Sequence, residues 1–156
     1  MKYWSGRSIT KLEPNYIFVY GANPEFRNGK GSALYARNFG ALPYGGGRGI
    51  VGQTYGIITK NLKKGYVETL KDGSTITYNK SGAMSVSEGM IVNNIKEFYT
   101  CCRENPHLKF FVAYTNDNNN LNGYSSLDIF NMFIKAGVDS VDNVYFHNSF
   151  KGVGNE

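Results

Sequence analysis

The chain of 156 residues holds only two cysteines and two histidines. Cys101 and Cys102 are adjacent, and neighbouring cysteines rarely meet disulfide geometry with each other. With no second cysteine pair there is no zinc-ligand pattern, so no metal and no cofactor is expected and both thiols read as buried or half-buried. His107 and His147 stand far apart, neither beside a carboxylate and a nucleophile, and both read as structural. No apolar run approaches the roughly 18 residues of a membrane helix, so no membrane partner is expected. The opening MKYWSGRSITKLEP lacks the continuous apolar stretch of a signal peptide, and a cytoplasmic location is expected. Walker A and GxGxxG phosphate loops are missing, as are RNP-, KH- and helix-turn-helix-like patterns. Neither a repeat nor a linker breaks the chain, which predicts one domain over residues 1–156.

What is present is a foldable composition, 41% apolar and 15% aromatic, well above that of a disordered tail. The formal charge is +5 and the pI about 9.1, with Lys60, Lys63 and Lys64 the densest cluster. A basic balance favours an anionic partner: a nucleotide, a nucleic acid or a phosphorylated metabolite.

The periodicities alternate between strand and helix. YIFVYGA (16–22) reads as a buried strand closed by glycine. Residues 32–39 place Ala33, Leu34, Ala36 and Phe39 on one face of a short helix, with Gly40 as its stop. A glycine-rich loop precedes a strand over 53–60. Asp72-Gly73 between two β-prone runs predicts a hairpin over 66–79. Ser85 and Glu88 have capping-box spacing ahead of a helix with a Met90, Ile91, Ile95, Phe98, Cys102 stripe. Residues 108–115 predict a third core strand and 116–126 a polar loop. A helix follows with Leu127, Phe130, Phe133 and Ile134 inward, stopped by Gly137. A last strand is predicted over 143–150. The order is that of an α/β domain.

In α/β sheets ligands bind beyond the C-terminal ends of the strands. Three loops leave such ends: 21–31, 60–64 and 115–124. The first, GANPEFRNGKG, carries Gly29-Lys30-Gly31 just before a helix, where backbone amides can approach an anion closely. Six aromatics lie near these loops, Tyr20, Tyr44, Tyr55, Tyr114, Tyr124 and Phe150, and the pattern singles out none of them.

FVYGANPEFRNGKGSALYARNFGA resembles the first ligand loop of macrodomains, the ADP-ribose-binding fold: a strand, Asn23, then a Gly29-Lys30-Gly31-x-Ala33 turn opening a helix. TYGIITK resembles the strand of the subgroup that contains the terminal ADP-ribose protein glycohydrolase and the DNA ADP-ribosyl glycohydrolase antitoxins. LNGYSSLDIFNMF and the 47–55 stretch GRGIVGQTY resemble segments of related bacterial and phage macro-like proteins. The resemblance spans most of residues 16–134.

It implies a macrodomain-like three-layer α/β/α fold with a mixed central sheet. It implies ligand contacts from Gly21, Ala22, Asn23, Asn28, Gly29, Lys30, Gly31, Ser32 and Ala33, from Gln53 and Thr59, and from Thr115, Asn116, Asn118, Asn119, Asn120 and Leu121. Asn23 would meet the distal ribose, and the glycine turn would wrap that ribose and the diphosphate. Lys60 falls at the subgroup's catalytic lysine, which attacks the anomeric carbon of the linked ribose while an aspartate assists release. A lysine nucleophile must be neutral, and neutralising a free lysine at pH 7 costs roughly 4–5 kcal/mol, so it needs desolvation or a neighbouring cation.

The chain departs from the family at the second phosphate loop. The family reads Gly-x-Gly-Leu with the aspartate just after, and here Asn118-Asn119-Asn120-Leu121-Asn122 stands. An amide at Asn122 is no carboxylate base, and Asp117 is the nearby substitute. The expected function is binding of ADP-ribose or an ADP-ribosyl group, with hydrolysis from a modified nucleic acid or protein as its active form. A binding-only protein of this kind would suit a phage or mobile element that sequesters such a nucleotide. A basic nucleic-acid-binding module and a scaffold that has lost its ligand are the alternatives.

Overall fold

A computed structural model of the chain describes residues 1–116 and 120–153. Its strands are β1 (Lys2–Trp4), β2 (Tyr16–Ala22), β3 (Ile50–Val51), β4 (Thr54–Ile58), β5 (Tyr66–Thr69), β6 (Thr75–Tyr78), β7 (Lys109–Val112) and β8 (Val144–His147). Its α-helices are α1 (Gly31–Ala36), α2 (Glu88–Glu104) and α3 (Ser126–Lys135). Six strands form one sheet in the order β1-β8-β7-β2-β4-β3. Neighbours run parallel except β3 against β4, so the sheet is mixed. The predicted hairpin, β5–β6, stands apart from it.

The apolar run of β2 is explained by its central place, since a strand covered on both faces loses the polar alternation of a half-exposed one. Phe18 pairs in register with Phe111, and Ile17 with Phe110, so these two pairs point to opposite faces. On the Phe18 face lie Tyr35 and Phe39, with ring centroids 5.7 and 5.2 Å from Phe18. On the other, Phe98 of α2 packs against Tyr55 and Phe110, and Phe133 of α3 against Phe146. Helices therefore cover both sides of the sheet. Cys102 is buried in this core and Cys101 half-buried, both free. Among the described residues no helix is long and apolar enough to cross a membrane.

Several local expectations change. The helix over 32–39 is one and a half turns of α1 followed by a 3-10 turn at Arg37–Phe39. Leu34 points outward at 45% exposure while Ala33 and Ala36 face the core. The cap of α2 is Ser87, whose hydroxyl accepts from the Met90 amide, not Ser85. Ser85 is buried, and its hydroxyl accepts from the Asn61 amide instead. The capping box forms at α3, between Ser125 and Asp128. The last strand ends at His147, and a 3-10 turn takes Asn148–Phe150. Strand β1 had no sequence signal of its own. Three residues suffice because β8 supplies their partners.

Candidate functional site

The parallel strands β2, β4 and β7 end side by side, and the segments after them enclose a cleft of about 690 Å³. Each wall is braced by hydrogen bonds within the protein. In the first segment the Asn23 side chain exchanges two hydrogen bonds with the Arg27 main chain, Nδ2 donating to its carbonyl at 2.9 Å and Oδ1 accepting from its amide at 3.1 Å. Between them Phe26 adopts a left-handed backbone (φ 53) and buries its ring. Such a conformation is unfavourable for a bulky residue and persists only where packing enforces it.

The second wall is residues 58–61. The Ile58 carbonyl accepts from Asn94 of α2 at 3.0 Å, the Thr59 amide donates to the Ala22 carbonyl at 2.9 Å, and the Asn61 amide donates to Ser85 at 2.7 Å. Lys60 sits between two buried residues, Thr59 and Asn61, and turns its half-buried side chain into the cleft. Asn94 is itself part of a buried network. Arg48, from the glycine-rich loop, makes two hydrogen bonds to Glu68 (2.7 and 3.0 Å) and reaches Asn94 (3.0 Å) and Glu97 (3.1 Å). Tyr78 donates to Glu68 at 2.7 Å. The hairpin, the glycine loop and α2 are thus locked behind the Lys60 wall.

At the cleft floor Tyr114, just beyond β7, brings its hydroxyl against the side chains of Thr59 and Asn122. Burial pushes its pKa up to about 12, although both neighbours pull the other way. Three strand ends and the loop into α3 meet at this phenol.

The charges that line the cleft are Arg27, Lys30 and Lys60, and no carboxylate lines it among the described residues. Arg27 also stacks over the exposed Tyr44 ring, 4.3 Å from its centroid, and approaches Glu25 at 3.4 Å. Lys60 has no hydrogen-bond or ion-pair partner among the described residues. Two exposed leucines, Leu62 and Leu121, add an apolar lip. No cluster able to hold a metal ion occurs among the described residues.

No family model, no curated protein and no solved structure matches this chain.

Of the residues expected from the sequence, Gly21, Ala22, Asn23, Gly29, Lys30, Gly31, Ser32 and Ala33 line the cleft. So do Thr59, Lys60, Thr115, Asn120, Leu121 and Asn122. Three lie elsewhere. Gln53 precedes β4 at the opposite end of the sheet and donates to the Glu13 and Tyr16 carbonyls. Asn28 is buried and donates to the Leu42 carbonyl at 2.7 Å. Asn116 bonds to Ser149 beyond β8 through its amide at 2.9 Å. Asp117, Asn118 and Asn119 fall outside the described residues. Lys63 and Lys64 are exposed and do not line the cleft.

Asn122, placed in sequence where an assisting aspartate would stand, is 4% exposed and holds its own loop together. Its Oδ1 accepts from the Tyr124 amide at 2.9 Å, and its carbonyl accepts from Met84 at 2.7 Å. Sequence reasoning missed Arg27, Leu62, Ala113, Tyr114 and Ser126 in the lining. Of the six nearby aromatics only Tyr114 lines the cleft. Tyr20, Tyr55, Tyr124 and Phe150 are core residues, and Tyr44 lies outside on Arg27. Strand order is the signal that separates them, and a single sequence does not carry it.

Proposed function

We propose that this cleft binds ADP-ribose or an ADP-ribosyl group, with its diphosphate drawn to Arg27, Lys30 and Lys60. One observation carries the reading: three cations and no carboxylate among the described lining residues, in a cleft at the C-terminal ends of parallel strands. Low-dielectric walls lined by one sign of charge concentrate an anion, and this edge of an α/β sheet is where ligands bind. The volume suits a nucleotide-sized ligand. A mixed sheet with helices on both faces supports a macrodomain-like fold, as do the stretches after β2 and β4.

In the catalytic form of the reading the Lys60 amine attacks the anomeric carbon of the bound ribose. The bond to the acceptor breaks, the acceptor takes a proton, and water then displaces the lysine. In the family that this chain resembles an aspartate assists release, and Asp117 is the candidate for that role here. The binding-only form rests on a specific observation: the Asn122 Oδ1 is committed to its loop, and the described lining holds no carboxylic acid.

Calorimetry with ADP-ribose tests the binding. Micromolar affinity is expected, and no heat at millimolar ligand would sink it. Incubation with ADP-ribosylated DNA and ADP-ribosylated protein then separates the two forms. Turnover lost in Lys60→Ala would mark an enzyme, and no turnover in the parent would mark a binder.

A further inference from the structure

A second hollow lies on the α1 side of the sheet. Helix α1 covers only the part around Phe18. The neighbouring part is crossed by residues 5–15, which run from the end of β1 over the sheet to the start of β2. Tyr16, Phe111 and Tyr145 stand there in a row on three adjacent strands, with ring centroids 4.7 and 4.8 Å apart, and all three are half-buried. The Lys109 ammonium lies 5.7 Å from the Tyr16 ring and 5.8 Å from Tyr145, and Lys2 lies 5.7 Å from Tyr145.

The crossing segment does not seal this face. It leaves a hollow of about 260 Å³ with Trp4, Tyr16 and Phe111 in its lining. Ser5, Ser8 and Thr10 border it, and their hydroxyls bond to no protein group among the described residues. Only two hydrogen bonds to residues 5–12 occur among the described residues, from Tyr35 to the Ile9 carbonyl (2.6 Å) and between His147 and the Gly6 carbonyl (2.8 Å). The segment's charged side chains are Arg7, Lys11 and Glu13, and Lys11 lines the hollow. Aromatic walls, free hydroxyl and amide donors and surrounding lysines are the recognition chemistry of an unpaired base on a phosphate chain.

We infer that this face binds single-stranded nucleic acid, one base entering the hollow beside Tyr16 and Phe111 and the flanking phosphates meeting Lys2, Lys11 and Lys109. The rings stand against one another, so the base meets the walls of the hollow rather than a flat platform. The volume admits one base and no more than its sugar. The site is separate from the cationic cleft and does not depend on what that cleft binds.

Trp4 is the sole tryptophan and lines the hollow, so its fluorescence reports occupancy directly. Titration with short single-stranded DNA and RNA oligonucleotides is expected to quench it, while saturating ADP-ribose leaves the oligonucleotide affinity unchanged. The pair Lys2→Gln and Lys109→Gln is expected to lower the slope of log affinity against log salt by about 1.4. Tyr16→Leu is expected to weaken binding about tenfold at constant salt. Should a variant not fold, amide shifts in the parent protein decide the matter, with changes expected in residues 5–12. Several outcomes overturn the proposal: no binding by the folded parent, shifts confined to the cleft, equal affinity for duplex, or a dimer in sedimentation that buries this face.

Discussion

The Tyr114 hydroxyl occupies the space that a β-carbon on Gly21 would need, with Thr59 Oγ1 3.0 Å from the same point. Two cleft walls and its floor therefore touch through a contact that admits no side chain at position 21. Gly21→Ala is expected to destabilise the fold by about 1–3 kcal/mol, the usual cost of overpacking. Adding Tyr114→Phe removes the clashing oxygen and should recover part of that loss. Urea denaturation of the four proteins checks it, and additive losses would mean the two residues do not interfere.

Lys60 lines the cleft without a structural partner among the described residues. Lys60→Ala is expected to weaken ADP-ribose binding about tenfold, the scale of one hydrogen bond to a charged group, while thermal stability stays level. Lys63→Ala and Lys64→Ala lie off the cleft and should leave affinity within about twofold. Calorimetry and thermal melts on the same three samples read both quantities. A matching loss at Lys63 would shift the site toward the exposed turn.

Arg48 and Glu68 form an ion pair in which both side chains are largely buried. Burial opposes the Arg48 charge, but Glu68 and Glu97 outweigh it and push its pKa upward. Removing Glu68 leaves the largely buried Arg48 charge with only the half-exposed Glu97 as counter-ion and takes the acceptor from the buried Tyr78 hydroxyl, so Glu68→Ala should cost about 3 kcal/mol. Glu97 is half exposed on its side chain, and Glu97→Ala should cost less than about 1 kcal/mol. Similar losses at the two positions, measured by urea midpoints, would argue against the buried network.

Alkaline pH should loosen the protein through its buried tyrosines. Burial raises the pKa of Tyr114 to about 12, and it also raises those of Tyr55, Tyr78 and Tyr99. Tyrosines in the unfolded chain ionise near pH 10, so between about 10 and 12 only the unfolded state releases these protons. Stability is therefore intact below pH 10 and falls above it, by up to about 1.4 kcal/mol per pH unit for each such tyrosine. Tyr114→Phe should reduce the slope between pH 10 and 11. An unchanged slope would mean that its hydroxyl is open to water.

Local chemistry made much of the architecture legible. The β2 run, the Asp72-Gly73 hairpin and the stripe of α2 are each a pattern contained in one short segment, and each forms where its pattern places it. Position within a cap was less legible. Ser85 and Ser87 are both plausible capping residues, and the choice depends on Asn61, whose amide claims the Ser85 hydroxyl. The same limit applies to site residues. Asn23 and Asn122 were expected to act on a ligand, and both line the cleft. Both amide atoms of Asn23, however, and the Oδ1 of Asn122 are spent on their own loops, because a short polar side chain in a turn finds its nearest main-chain groups first.

By itself the sequence determined an α/β chain, the strands that form its core, and three loops rich in glycine, asparagine and lysine, since propensity and periodicity act over short separations. Only the tertiary structure decided which side chains meet. The pairing of β2 with both β4 and β7 placed Thr59 and Tyr114 around Gly21 and sent Gln53 to the far end of the sheet. Those pairings join residues far apart in the chain, and no local pattern encodes them. GANPEFRNGKG is a possible anion turn by sequence, and it becomes a cleft wall because two distant strands end beside it.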